Sequence, residues 1–119
     1  MQDRTPVELV LGALGSCLTV LGALHASNHG VDLKGFRVRV EGDLDPDGFM
    51  EKAPVRPGFQ EIRARIEVDT PSPRERVEAL VEHVERICPV RDTLMGVPVG
   101  TVKWEIQTAE TRDPAVIRS

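Results

Sequence analysis

Two cysteines, Cys17 and Cys88, are the side chains of this sequence best suited to covalent chemistry. Two cysteines are too few for a disulfide scaffold, and without a C-x-x-C pair they do not form a zinc motif. If they meet in the fold, one thiolate can attack a peroxide oxygen and become a sulfenic acid, which the other thiol then converts to a disulfide. Such a site also needs a cation or hydrogen-bond donors beside the attacking thiolate, and a carboxylate that orients the cation.

Each cysteine also has a purely structural interpretation. Cys17 lies in an apolar segment, where a free cysteine often acts as a small, inert packing residue. Cys88 precedes Pro89, and proline favours the first position of a helix, so Cys88 can be the N-cap of a new helix with a lowered pKa. The Cys-Pro pair can equally mark no more than the end of the preceding helix. The residues alone leave these alternatives open.

The segment around Cys17 has strong helix-start signals. Thr5, Pro6 and Glu8 form a capping box with proline at the first helical position. The pattern predicts a helix from about Pro6 to Ser27, ended by residues 28–30. Residues 9–24 carry no charge, but a membrane span needs about 20 residues. Because apolar residues occupy every face, the sequence predicts a helix buried on all sides.

The remaining elements position the two cysteines. Alternating apolar and charged residues predict strands over 32–43 and 59–70. We expect the two strands to pair antiparallel and to be connected by a long loop at 44–58. Ser72, Pro73 and Glu75 predict a second capped helix that runs to Cys88. A last strand is expected through Val102, Trp104 and Ile106, with a loosely held tail at 109–119. The order predicts an α+β fold in a single domain, 1–119.

Composition excludes several classes of function. The chain has 119 residues with 15 Lys+Arg, 19 Asp+Glu and a net charge of −4, which argues against a nucleic-acid binder and an anionic-membrane anchor. His25 and His29 stand four apart, but no third ligand accompanies them, so no metal site is predicted. The N-terminal segment lacks the basic region of a signal peptide. This feature and the two thiols predict a cytoplasmic protein.

The size of the first helix has a consequence for assembly. Three strands offer too little surface to cover a fully apolar helix of about 22 residues. We therefore expect an obligate homodimer in which both chains wrap this helix.

Three segments carry a family resemblance: PVELVLGALGSCL at 6–18, GVDLKGFRVRVEGDLD at 30–45 and VEHVERICPVRDTL at 81–94. Together they resemble the OsmC/Ohr family of osmotically inducible and organic-hydroperoxide-resistance proteins, over about residues 5–107. The first segment is closer to the OsmC-like branch than to the classical hydroperoxide reductases. The resemblance implies an OsmC-like α+β fold, with a buried central helix packed with antiparallel strands in an intertwined homodimer.

The resemblance also implies a two-cysteine oxidative-stress enzyme, with Cys17 as the peroxidatic thiol and Cys88 as the resolving thiol. Its substrates would be organic hydroperoxides, including those of fatty acids. Its reductant would be a dithiol such as a dihydrolipoyl group, and no metal, haem or flavin is implied. The hydroperoxide reductases carry a glutamate directly after the helix-starting proline. Val7 stands there in this chain, so Glu8, one position later, is the candidate for the catalytic carboxylate.

The family normally begins with strands that supply an arginine beside the peroxidatic cysteine. Here the first helix begins about five residues into the sequence, so these strands are expected to be absent, and Arg4, Arg56 and Arg91 are the candidates for that cation. Two alternatives remain beside peroxide reduction. One is a non-catalytic OsmC-like module that binds a small apolar ligand at the dimer interface, with structural cysteines. The other is a family member with structural thiols only.

Overall fold

The computed structural model describes residues 5–100, 103, 105 and 106. A 20-residue helix comes first, and a 3-10 turn over Ser27–His29 follows it. Two strands and three further helices complete the described chain. The elements are α1 (Pro6–His25), β1 (Gly35–Leu44), α2 (Pro46–Phe49), β2 (Phe59–Asp69), α3 (Arg74–Ile87) and α4 (Pro89–Leu94). The predicted mixture of helices and antiparallel strands is confirmed.

Helix α1 begins as its sequence predicts. Thr5 is the N-cap, and its side chain accepts a hydrogen bond from the Glu8 amide at 3.3 Å. The helix ends at His25, two residues before the predicted Ser27, because the chain tightens into the 3-10 turn. Gly30 then reverses the chain with a φ of 67°, a left-handed conformation that glycine adopts without a steric penalty.

Strands β1 and β2 form an antiparallel pair in which Val38 lies opposite Ile66. β1 begins at Gly35, three residues later than predicted, because the preceding residues bond to the chain after β2 instead. The Asp32 amide donates to Ser72 Oγ at 2.8 Å, and the Asp32 carbonyl accepts from Thr70 Oγ1 at 2.6 Å. The predicted loop at 44–58 contains the short helix α2.

Helix α3 differs from its prediction at the N-terminus. Ser72 was expected to cap it, but the Ser72 hydroxyl accepts from Asp32, and Pro73 is the N-cap without a side-chain hydrogen bond. The capping box with Glu75 is therefore wrong. The reason is that Pro73 has an extended ψ of 145°, which moves the first helical residue to Arg74 and leaves Ser72 one position outside.

Parts of two predictions fall outside the described residues. Val102 and Trp104 of the expected third strand are among them, as is the whole tail at 109–119. Ile106 is described, but it is not assigned to a strand. The sheet that the structure describes is thus the two-stranded β1–β2 ribbon.

The core lies where α1 and α3 meet and includes one of the cysteines. Its fully buried members are Leu80, Val84 and Cys88, with Leu14 and Leu18 of α1 against them. The opposite face of α1 is exposed, with Leu9, Val20 and Leu24 at 57 %, 54 % and 64 % of their accessible surface. Within one chain, α1 is therefore buried on one face only.

Helix α1 is long and apolar enough to cross a membrane by length and composition. Such a helix is weak evidence for a membrane span, because the core helix of a soluble protein passes the same test. The burial of Leu14 and Leu18 against α3 is what a core helix requires.

Candidate functional site

The structure brings the two cysteines into direct contact. Cys17 projects from the middle of α1, and Cys88 lies at the junction between α3 and α4. Their Sγ atoms are 3.2 Å apart, with the Cys88 thiol donating to Cys17, and both cysteines are free. A disulfide bond is about 2.05 Å long, so the two sulfurs need to approach by only about 1 Å to form one. Cys88 is fully buried, and Cys17 is half-buried.

The Cys-Pro pair explains the position of Cys88. Pro89 cannot continue α3 because it lacks an amide hydrogen, but it fits the first turn of α4. Cys88 is the N-cap of α4, with extended φ and ψ of −66° and 114°. The Arg91 amide donates to its Sγ at 3.4 Å. The sequence left open whether the Cys-Pro pair only ends α3 or also starts a new helix. The structure shows that Cys88 is the N-cap of α4.

The surroundings of Cys17 do not favour its thiolate. Burial is the largest cause that raises the pKa of the Cys17 thiol, and the adjacent Cys88 thiol raises it further. A hydrogen bond from the Val90 backbone acts in the opposite direction. In the described part of the chain, no arginine, lysine or histidine side chain bonds to either sulfur.

Two of the three candidate cations lie in one cavity of about 480 Å³ between β2 and the helices. Arg56 and Arg91 line it together with Leu14 and Leu18, which lie three residues before and one residue after Cys17 on α1. Neither arginine forms an ion pair with another described residue. Arg4 lies outside the described residues.

A second cavity is lined in part by the residues that follow Cys88 in the chain. It measures about 290 Å³ and lies between α1 and α4. Val90, whose backbone bonds to Cys17, is part of its wall. The cavity is lined by Val10, Ala13, Pro89, Val90, Thr93 and Leu94, so an apolar group of a substrate would fit it.

Glu8 is not brought to the thiols within the chain. It lies nine residues before Cys17 on α1, which is about 13 Å along the helix axis. Its side chain is exposed and lines a separate cavity together with Leu11 and Gly12. The role of Glu8 therefore stays a prediction.

The structure joins His25 and His29 to a third histidine, His83 of α3, which the sequence did not connect with them. The ring of His83 lies 5.0 Å from each of the other two rings. His83 follows Leu80 by three positions, which places it beside the buried face of α3, and this spacing is the signal that could have found it. No group of three or more described His, Cys, Asp or Glu side chains is arranged to hold a metal ion.

Comparison with known proteins gives a family and a fold. A family model described as OsmC-like protein matches residues 2–103. An OsmC-like protein from Mycoplasma pneumoniae superposes with a TM-score of 0.69 at 21 % identity, over 82 % of this chain and 66 % of that one. An OsmC-like hydroperoxide resistance protein from Jannaschia sp. CCS1 gives 0.63 at 19 % identity, over 92 % and 70 %.

A third solved structure, an organic hydroperoxide resistance protein from Legionella pneumophila, gives a TM-score of 0.57 at 18 % identity, over 81 % of this chain and 65 % of that one. This chain thus spans about two thirds of the length of the structures that it matches. At these identities the likeness establishes the shared fold. No curated protein matches the sequence.

Proposed function

This chain belongs to the OsmC-like protein family, and we propose on that basis that it reduces organic hydroperoxides with a pair of cysteine thiols. The observation that carries the proposal is the 3.2 Å separation of Cys17 Sγ and Cys88 Sγ. Two solved structures with the same fold are named hydroperoxide resistance proteins, which supports a hydroperoxide as the substrate.

The reaction proceeds in three balanced steps. The Cys17 thiolate attacks the terminal oxygen of the hydroperoxide, the O–O bond breaks, and the alkoxide takes a proton to leave as an alcohol. Cys17 is now a sulfenic acid, and Cys88 attacks its sulfur, so that a disulfide forms and water leaves. An external dithiol then reduces the disulfide by thiol–disulfide exchange and is itself oxidised. A dihydrolipoyl group is the reductant that we propose.

The geometry supports Cys17 as the attacking thiol. Cys17 is half-buried, whereas Cys88 is fully buried, so a peroxide reaches Cys17 first. The apolar cavity beside Val90 accepts the organic part of the substrate, which favours alkyl and aryl hydroperoxides over hydrogen peroxide.

The proposal includes a homodimer in the cytoplasm. A second copy would cover the exposed face of α1 and bring further side chains towards the thiols. Glu8 is then the carboxylate that orients an activating guanidinium, whichever arginine supplies it. This role predicts that Glu8→Gln slows the oxidation of Cys17, whereas a helix-capping role leaves that rate unchanged.

Trapping the sulfenic acid tests the proposal. In Cys88→Ser, the first step can occur but the second cannot, so Cys17 should accumulate as a sulfenic acid after treatment with cumene hydroperoxide. A dimedone adduct on Cys17, located by peptide mass spectrometry, is the expected result. Serine is the matched replacement, because its hydroxyl can cap α4 as the Cys88 sulfur does.

The control is Cys17→Ser, which should form no adduct at Cys88. An adduct at Cys88 in that variant, with none at Cys17 in Cys88→Ser, would reverse the two roles. No adduct in either variant would contradict the proposal, provided that both variants fold as judged by circular dichroism.

The raised pKa of the Cys17 thiol favours a second candidate function. A thiol with a raised pKa, to which no described cation is bonded, reacts slowly, and this suits a module that binds an apolar ligand at the dimer interface with structural cysteines. Lipid bound to the purified protein in native mass spectrometry, together with thiols that resist cumene hydroperoxide, is the result that this function predicts.

A further inference from the structure

The three histidines of the chain lie in one cluster, His25, His29 and His83, which we call the histidine cluster. The His25 and His83 rings meet edge to face with centroids 5.0 Å apart. The His29 and His83 rings are tilted by 41° with the same separation. His25 ends α1, His29 ends the 3-10 turn, and His83 lies on α3, so the cluster joins three elements.

Hydrogen bonds indicate that His83 is neutral in this arrangement. Arg86 Nη2 lies 3.2 Å from His83 Nδ1. Because a guanidinium can only donate, His83 Nδ1 must carry a lone pair, and the ring proton must be on Nε2. A proton on Nδ1 would break this bond and place two cations in contact. His29 Nδ1 lies 3.1 Å from the His25 carbonyl, where it can donate, so this contact tolerates a charged ring.

Three groups of the described chain face His83, and none of them is acidic. His25 faces His83 from α1, His29 faces it from the 3-10 turn, and Arg86 faces it from α3. Among the described residues, every ion pair joins a carboxylate to a lysine or arginine, and none includes a histidine. Charging these rings would thus bring like charges to within about 5 Å of one another.

We propose that the histidine cluster is a pH-sensitive clasp, which holds the end of α1 and the 3-10 turn against α3 at neutral pH and opens on acidification. Across this junction, Ala26 and Val31 also belong to the buried core cluster with Leu80 and Val84. Arg76 Nη1 donates to the Gly30 carbonyl at 3.3 Å, in a bond that is exposed to solvent. An exposed hydrogen bond of this length contributes little stability. The apolar contacts do not depend on pH, so the histidine rings are the side-chain contacts at this junction that acidification can weaken.

The direction of the effect follows from proton linkage. Burial is the largest cause that lowers the pKa of His83 below its ordinary value of 6.5, and the neighbouring His29, His25 and Arg86 lower it further. Below this value the unfolded or opened state binds more protons than the closed state does. The closed state is therefore fully favoured above about pH 6.5 and loses stability as the pH falls below it.

Hydrogen exchange measured by mass spectrometry tests where the molecule opens. After correction for the intrinsic exchange rate, peptides covering residues 25–30 and 74–87 should exchange several-fold faster at about pH 5.5 than at about pH 7.5. The variant His25→Gln/His29→Gln/His83→Gln should lose this difference. Unchanged exchange in the wild type, or the same increase in the variant, would overturn the proposal.

A titration of the wild-type protein keeps the proposal testable if the triple variant does not fold. By NMR, the His83 ring should titrate below pH 6.5. Arg86→Gln removes one cation from the cluster and should raise that midpoint. Arg74→Gln is the matched control, because it removes the same charge from α3 at a residue that pairs with Glu78. A His83 midpoint at or above 6.5, or equal shifts in the two variants, would overturn the clasp.

Discussion

The two sulfur atoms define the chemistry available to this protein at the scale of single residues. Cys88 is fixed by the start of α4, where it accepts a hydrogen bond from the Arg91 amide. Cys17 is held against it at 3.2 Å from the middle of α1. The two sulfurs are close enough to form a disulfide after a small movement, but burial raises the pKa of Cys17, the thiol that we propose attacks the peroxide. In the proposed mechanism, the short distance between the two sulfurs favours the formation of the disulfide. The raised pKa of Cys17 in the single chain disfavours the preceding attack on the peroxide.

The raised pKa of Cys17 predicts how the rate depends on pH. Since the thiolate is the nucleophile and its fraction grows until the pH reaches the thiol pKa, the rate of oxidation by cumene hydroperoxide should rise about tenfold between about pH 7 and about pH 8. Stopped-flow measurement of the reduced protein checks this. A rate that is already constant at pH 7 would contradict the prediction and indicate that a cation reaches Cys17.

Some of this detail could be predicted from residue types and some could not. The Cys88–Pro89 pair indicated an N-cap, because proline restricts which helix position can follow. The resemblance to the OsmC/Ohr family paired Cys17 with Cys88, whereas their spacing in the sequence did not. The histidine cluster was missed. The spacing of His83 from Leu80 indicates that His83 lies beside the buried face of α3, but its contact with His25 depends on how the two helices pack.

At the scale of elements, the approach of β1 to α1 depends on a glycine. A Cβ atom at Gly22 would lie only 2.5 Å from the ring of Phe36, so the ring occupies the space that any side chain would need. The contact of Gly22 with Phe36 could not be predicted from the sequence of α1, because it depends on which strand residue packs against the helix. The partner of Ser72 could not be predicted from its own segment either, because its hydroxyl accepts a hydrogen bond from the Asp32 amide rather than capping α3.

Gly22→Ala should therefore destabilise the fold by about 1–3 kcal/mol, as overpacked core substitutions do. Thermal unfolding followed by circular dichroism measures the change. The matched control is Gly12→Ala on the same helix, where nothing lies within 4 Å of the added Cβ. Helix propensity alone should stabilise this control by about 0.5–1 kcal/mol. Equal effects at the two positions would contradict the close packing of Phe36.

At the scale of the whole molecule, α1 presents an apolar stripe that the chain does not cover. Leu9, Val20 and Leu24 project within an arc of about 60° around the helix axis, and each is more than half exposed. Exposed apolar side chains grouped on one face of a helix are typical of an interface. The dimer that the sequence predicted would cover it with a second copy of α1.

Light scattering at micromolar concentration should accordingly give the mass of a dimer. Val20→Asp/Leu24→Glu places two charges on the stripe and should shift the protein towards the monomer. Phe49→Glu is the control, because Phe49 is similarly exposed at 55 % but lies on α2. A monomeric wild type, or equal dissociation of both variants, would contradict the proposed interface.

The most direct test of the proposed thiol chemistry is the intact mass of the reduced wild-type protein after one equivalent of cumene hydroperoxide. The account predicts the loss of two hydrogen atoms, with Cys17 and Cys88 recovered in one disulfide-linked peptide. An unchanged mass, with both thiols still free to react after denaturation, would contradict it and leave the cysteines as packing residues of an OsmC-like fold.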